Sequence, residues 1–355
     1  MRPSGRAATG WCLRDGVRTA RAIRHATVTG CAIPFAQPEE TALKIRSSVA
    51  VSATLLAVLV PSAHAVEVVF DYSYDSVGFF TADKRAVLNQ VAQVFSLNLT
   101  DTLTAITSSG GNRMDAELYN PQDPFGSTLK INDFSVAEDE LRVFVGSQTF
   151  ASAQTLGVGG PGFASFSGSS SFVNAAFSRG QAGALLSEPS DFASWGGSIT
   201  FGRTVSWYVD SDVRTLESFT GQFDFYTVAM HEMAHVLGFG TADSWFTDVS
   251  GTHTYVGAQT TALNGGVPVA LQGTDAHFAT SVNGLAEGVS QQALLAPSIN
   301  PGRRKYMTDL DWAALDDIGW EVASLQATVP VPEPRTWALM LGGIMLIGAA
   351  ARRRA

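Results

Sequence analysis

His231-Glu232-Met233-Ala234-His235-Val236-Leu237-Gly238-Phe239-Gly240 is the stretch on which the reading of this chain turns. An α-helix advances about 3.6 residues per turn, so positions i and i+4 stack on one face. On a helix, His231 and His235 can share one metal ion, and Glu232 stands beside them to take a proton from water. Gly238 lets the chain leave the helix sharply, because glycine tolerates the left-handed backbone of a helix end. Asp224 is placed to cap the helix, and Phe225, Val228 and Ala229 supply core-facing positions. The competing reading is a buried amphipathic helix with two satisfied histidines. The glycine at the right offset and the scarcity of other histidines weigh against it.

Outward from this helix, both ends read as targeting segments rather than as fold. Residues 44–65 carry the three parts of a secretory signal: Lys44-Ile45-Arg46, an apolar run over 49–60, and Ala63-His64-Ala65 as a small-x-small cleavage site. The mature chain is therefore expected to begin at Val66. Residues 1–43 are arginine-rich and lie upstream, where a signal peptide has nothing. They read as an extension outside the translated protein, with initiation expected at Leu43. The tail, 329–355, holds Val331-Pro332-Glu333-Pro334, an apolar run from Trp337 to Ala351, and Arg352-Arg353-Arg354. That run is short against the roughly 20 residues of a permanent span, and the arginines are expected on the cytoplasmic side. A plain C-terminal anchor is one reading. The order of the three elements resembles the PEP-CTERM sorting tail of Gram-negative bacteria. The resemblance implies processing by a membrane-bound sorting machinery near the Pro-Glu-Pro, a transient transmembrane stage, and delivery to the cell surface or extracellular matrix.

Both cysteines, Cys12 and Cys31, lie upstream of the predicted mature start, so the domain over 66–328 has neither disulfide nor thiolate ligand. That stretch holds 28 Asp and Glu against 11 Lys and Arg, a net charge of −17. Such acidity argues against nucleic acid as a partner, which wants clustered positive charge, and suits a soluble exported protein. The length fits one large domain or two tightly packed subdomains.

Along that domain, 66–72 alternates and is valine-rich, which predicts a strand. Residues 82–99 have helical apolar spacing, and 141–145 predict a second strand. The Gly/Ser-rich stretch 155–183 reads as a long surface loop. Residues 195–201 read as a short strand led in by glycines, and Trp207-Tyr208-Val209 as a sheet extension or a loop. After the histidine helix comes a long irregular stretch, then a last helix from Asp309 to Ile318 ended by Gly319. Strands first and helices later predict an α+β domain with a mixed sheet.

A catalytic zinc keeps three protein ligands and one open position. Four histidines fall within 66–328: His231, His235, His253 and His277. By residue type, Asp243, His253 and His277 all qualify as the third ligand, whereas the neutral hydroxyl of Thr241 is a poor match for zinc. His277 has Phe278 beside it for packing, and Asp275 or Asp311 is available to fix its tautomer. Asp210-Ser211-Asp212 has alternate carboxylates that suit calcium, with a solvated loop the stronger reading.

Gly273-Thr274-Asp275-Ala276-His277-Phe278, the segment Ala293-Leu294-Leu295-Ala296-Pro297, and 307–320 with its Asp317-Ile318-Gly319-Trp320 ending resemble leishmanolysin-like peptidases and, in the last part, matrixins. The likeness runs from about Asp224 to Trp320. With the tail, it points to PEP-CTERM-sorted bacterial HExxH zinc metalloproteases. In metzincins the third ligand falls six residues after the second histidine, here Thr241; the leishmanolysin-like pattern instead places a long insertion before it. The resemblance thus implies a zincin/metzincin-like fold, Zn2+ on His231, His235 and His277, and a C-terminal helix behind the site. It departs at one point: Leu295 stands where those families carry a methionine beneath the metal, and Met307 falls at the start of the last helix. That methionine packs rather than ligates, so leucine of similar volume is tolerated.

The expected chemistry is hydrolysis of a peptide bond in a protein or peptide substrate, with Glu232 as general base. In the families this chain resembles, a strand just before the catalytic helix aligns extended substrate by main-chain pairing, and the resemblance implies that role for the glycine-led strand over 197–201. Two other classes fit the same residues: a surface or matrix protein whose zinc site is non-catalytic, and a zinc hydrolase of non-peptide substrates.

Overall fold

A computed structural model describes residues 66–326 except 211, 216 and 217. The segments expected to be an N-terminal extension (1–43), a secretory signal (44–65) and a sorting tail (329–355) lie outside the described residues. The first half of the domain forms β1 (Glu67–Asp71), α1 (Ala82–Asn98), β2 (Arg113–Leu118), β3 (Leu129–Ile131), β4 (Glu140–Gln148), β5 (Gly157–Pro161), β6 (Phe163–Ser167) and α2 (Ser170–Ser178). Next come β7 (Gly196–Gly202), β8 (Trp207–Tyr208), β9 (Phe223–Asp224) and the histidine helix α3 (Phe225–Val236). The remainder comprises α4 (Asp243–Thr247), β10 (Val249–Ser250), β11 (Thr254–Tyr255), α5 (Ala258–Leu263), β12 (Val269–Gln272), β13 (His277–Phe278), β14 (Asn283–Ala286), β15 (Val289–Gln292), α6 (Asp309–Asp317) and α7 (Ala323–Gln326). The class is α+β with several sheets. Among the described residues no helix is long and apolar enough to cross a membrane.

The central sheet has the order β1-β4-β7-β5, with β1, β4 and β7 parallel and β5 antiparallel at the edge. β7 is buried along its whole length, as a strand covered on both faces must be. On one face, Val87, Leu88, Val91 and Phe95 of α1 pack with Met230, Met233 and Ala234 of α3 and Leu315 of α6 in one core with Val143, Val145 and Ile199. On the other face, Met114, Ala116 and Leu118 of the sheet β3-β2-β6 form a second core with Phe144, Trp195 and Ala176 of α2.

The helices begin where polar side chains replace missing backbone partners. The Asp224 carboxylate accepts from Thr227 N at 3.1 Å at the start of α3. Thr308 and Asp311 cap one another reciprocally at the start of α6. β1, α1, β4, β7, α3 and α6 all fall where periodicity and caps predict them.

Two expectations are corrected. The stretch 155–183 is not a surface loop; it contains β5, β6 and α2. Gly157 and Gly159 leave room for α3, whose Glu232 lies against them, while Gly160 and Gly162 leave room for the rings of Tyr119 and Trp195, and Ser169 caps α2 by accepting from Phe172 N at 3.2 Å. The stretch after α3 is not irregular either. It holds a small sheet, β10-β11-β12-β13, and the hairpin β14-β15. The small sheet is pinned by an aromatic stack in which Trp245 lies 4.1 Å from Tyr255 and 4.2 Å from Phe239, centroid to centroid, with Phe278 edge-on to Phe239.

Candidate metal centre and cleft

The start of α3 is fixed by a guanidinium clamp. Arg304 Nε and Nη2 donate to the two Asp224 oxygens, each at 3.0 Å, inside the protein. One face of α3 then carries His231 and His235 with their Nε2 atoms 3.1 Å apart. His277 Nε2 completes a triangle at 3.2 Å from His231 and 3.1 Å from His235. His277 reaches this point from β13, where it pairs with Gln272 of β12. Its approach depends on Gly240, whose φ is +68° and whose absent side chain leaves room for the Ala276 carbonyl.

The outer ring nitrogens explain what this triangle is for. His231 Nδ1 lies 2.9 Å from the Leu294 carbonyl, and His235 Nδ1 lies 2.8 Å from the Phe239 carbonyl. A carbonyl only accepts, so each Nδ1 carries the proton and donates it. Burial pushes the pKa of both rings down, and for His231 the neighbouring imidazoles push further. Burial, then His235, brings His277 down to about 3. The rings are neutral at pH 7, which leaves the Nε2 of His231 and of His235 as bare lone pairs 3.1 Å apart. Two facing lone pairs repel unless a positive centre lies between them. Tetrahedral zinc with Zn–N bonds of about 2.0–2.1 Å separates its ligands by roughly 3.3 Å, close to the triangle's edges. The three histidines form a group able to hold a metal ion, and they fit zinc.

Glu232 is buried next to them on the floor of an open cleft of about 780 Å³. Burial pushes its carboxyl up to about 8, opposed by a hydrogen bond from the Gly159 backbone. β5 forms one wall. A Cβ at Gly157 would lie 2.7 Å from Glu232 Oε1, and one at Gly159 would collide with the Glu232 carbonyl. The other wall is the segment from Leu294 to Ile299, and Lys305 also lines the cleft. Burial lowers the Lys305 ammonium to about 8, with the Asp311 charge opposing.

Beneath the histidines the chain makes a buried turn, 293–296, which contains Leu295. Asp311 holds it by accepting from Leu294 N at 2.9 Å and Leu295 N at 3.1 Å. Asp311 thus acts on His231 through the Leu294 carbonyl rather than on His277. Asp275 bonds His253 Nδ1 at 2.8 Å.

The other candidates lie elsewhere. His253 is largely exposed on its loop. Asp243 is exposed at the start of α4, and Thr241 is exposed with its hydroxyl donating to the His235 carbonyl at 2.8 Å. The Asp210 carboxylate faces the Arg304 guanidinium at 3.3 Å, so it is engaged by a cation of the protein itself. The strand over 197–201 is an interior strand with β4 and β5 on its two sides. The edge facing the cleft is β5, which corrects the expected substrate-aligning strand. Sequence reasoning missed the Leu294 and Phe239 carbonyls, the close approach of Gly157 and Gly159, and Lys305. Only the alternate glycines carried a signal, since glycine inside a strand marks close backbone approach.

Comparison of this chain with models of protein families, with curated proteins and with solved structures finds no match.

Proposed function

We propose that this protein is an exported zinc-dependent metalloendopeptidase. The observation that carries the reading is the triangle of imidazoles from His231, His235 and His277 beside the buried Glu232, at the bottom of an open cleft with a sheet edge for one wall. When bound, zinc supplies a Lewis acid that polarises a carbonyl and brings the pKa of water towards neutrality. Glu232 takes a proton from the attacking water and delivers it to the leaving nitrogen. Its burial suits both roles, because a carboxyl with a raised pKa accepts and returns a proton near neutral pH. The outer edge of β5 carries no further strand among the described residues. It aligns an extended backbone by main-chain pairing, which favours a peptide over a small ester or amide. Leu294 and Phe239 hold the imidazoles in the tautomer that leaves Nε2 free.

A metzincin-like arrangement accommodates these parts: the HExxH helix, a long insertion before the third histidine, a buried turn under the site, and the helix α6, whose capping-box residue Asp311 holds that turn. Export through the signal at 44–65 and surface delivery through the tail at 329–355, with the sorting machinery as partner, complete the reading. The openness of the cleft weighs against a non-catalytic zinc site, which is closed by a fourth protein ligand. Purified protein is expected to bind one zinc per chain and cleave unfolded casein. Glu232→Gln retains the metal while activity falls by about 10²–10⁴-fold. Near-normal hydrolysis by Glu232→Gln, or a zinc-loaded wild type that cleaves small esters but no peptide, overturns the proposal.

A further inference from the structure

Lys305 is one of two charged side chains lining the cleft among the described residues; the other is Glu232. It is 8 % exposed in a domain of strongly negative charge. An ammonium has three protons to donate. Nζ gives one to the Ser298 carbonyl at 3.0 Å and one to the Ala293 carbonyl at 3.4 Å. Among the described residues the third has no acceptor, and no carboxylate lies within 4.0 Å of Nζ. A buried charge in this condition is costly unless an anion or a polar ligand meets it.

The position of Lys305 is fixed relative to the reacting centre. Its backbone N–H donates to Thr227 Oγ1 at 2.8 Å, which places residue 305 beside the first turn of α3. Thr227 precedes His231 by four residues, or about 6 Å along the helix. The cleft at this end is walled by Phe223, Val228, Pro297 and Ile299, apolar groups that lower the dielectric around the ammonium. An extended substrate advances about 3.3 Å per residue, so the side chain of a residue adjoining the scissile bond reaches this recess.

We infer that the cleft selects substrates with an aspartate or glutamate side chain next to the scissile bond, its carboxylate received by the unpaired Lys305 N–H between apolar walls. This rests on the peptidase reading and deepens it, by naming the substrate class.

The test uses purified, zinc-loaded protein carrying Glu232→Gln, so that peptides bind without turnover. Hexapeptides blocked at both ends carry one Glu, moved position by position, each paired with its Gln counterpart, and binding is read by calorimetry. At one position the Glu peptide is expected to bind about tenfold tighter than its partner, because a site built for a charged group rejects the neutral isostere. In the double variant that adds Lys305→Met the ratio falls to about one. A ratio within twofold at every position overturns the inference, as does a preference that survives Lys305→Met. Should Lys305→Met fail to fold, the positional ratios measured with Lys305 intact still decide the matter. Failure of the peptidase reading is seen separately, as a wild-type protein that binds zinc and cleaves neither casein nor any of these peptides.

Discussion

Gly157→Ala probes how tightly the general base is held without touching a metal-binding residue. The added methyl would lie 2.7 Å from Glu232 Oε1, 2.8 Å from Cγ and 3.0 Å from Cδ. Comfortable non-bonded separations start near 3.5 Å, so the carboxylate must retreat by roughly 0.8 Å or swing to another rotamer. The backbone at Gly157 lies outside the left-handed region, so alanine fits the strand itself. A displacement of that size at a reacting group lowers turnover by about 10²-fold, while zinc content stays at the wild-type level because Glu232 is not placed as a ligand. Two neighbours calibrate the result, since side chains alternate across a strand. At Gly159 a methyl meets the Glu232 carbonyl, which cannot swing aside; Gly159→Ala is expected to destabilise the fold by about 1–3 kcal/mol. At Gly160 the nearest atom is Tyr119 Cε2 at 3.3 Å, on the opposite side, and Gly160→Ala stays close to wild type in both respects. The assay is kcat on a quenched fluorescent peptide, with zinc measured by atomic emission and stability by urea titration. Gly157→Ala with full zinc and turnover within twofold of wild type refutes the argument that Glu232 must sit where β5 holds it.

His277→Ala is expected to lose zinc as severely as His231→Ala or His235→Ala, with His253→Ala and Asp243→Ala retaining it; stoichiometry on the purified set decides, and full retention in His277→Ala sinks the three-histidine assignment. Asp101 is a buried carboxyl pushed up to about 6, chiefly by burial. Its folded pKa is raised, so its contribution is full below pH 4 and lost as pH rises through 6, by on the order of 2–3 kcal/mol. Asp101→Asn, whose one amide oxygen can still accept from Gln181 Nε2 and the Glu321 N–H, should gain on wild type in urea midpoint between pH 4.5 and 7.5; a gap independent of pH contradicts this. Asp311→Asn replaces one acceptor with an amide donor facing backbone N–H groups, which displaces the 293–296 turn and with it the Leu294 carbonyl. Zinc affinity is expected to fall about 10–100-fold in equilibrium competition with a chelator; unchanged affinity shows that the turn does not orient His231.

The helix of the candidate site was legible because its chemistry is periodic: two imidazoles at i and i+4, a cap at Asp224, a glycine past the end. His277 was reachable only as one of several candidates, since 42 residues separate it from His235 and what closes that distance is a stack of Phe239, Trp245, Tyr255 and Phe278. β5 was illegible for a different reason. A strand is recognised by alternating apolar side chains, and three of the five residues of β5 are glycine, two of them, Gly157 and Gly159, lying against α3. Its stability comes from the ladder with β7, a property of the partner rather than of its own residues. The groups that fix the imidazole tautomers are main-chain carbonyls, which residue identity never reveals.

The run from Arg304 to Asp311 ties the parts of the site together. Arg304 clamps the residue that caps α3. Lys305 joins the first turn of α3 through its backbone and the 293–298 segment through its ammonium. Tyr306 anchors the run from outside, its hydroxyl donating to the Val213 carbonyl at 2.9 Å. Thr308 and Asp311 begin α6, and the same Asp311 carboxylate holds the turn whose carbonyl orients His231. One oxygen pair therefore serves as a helix cap and as a support for the histidine below the cleft. Such sharing makes the site rigid, because the turn cannot shift without uncapping α6, and α6 cannot fray without releasing the turn. Preorganisation of this kind is what a three-histidine site needs. Its ligands must stay converged against their own lone-pair repulsion, and the energy for that comes from the buried scaffold rather than from the ligands themselves.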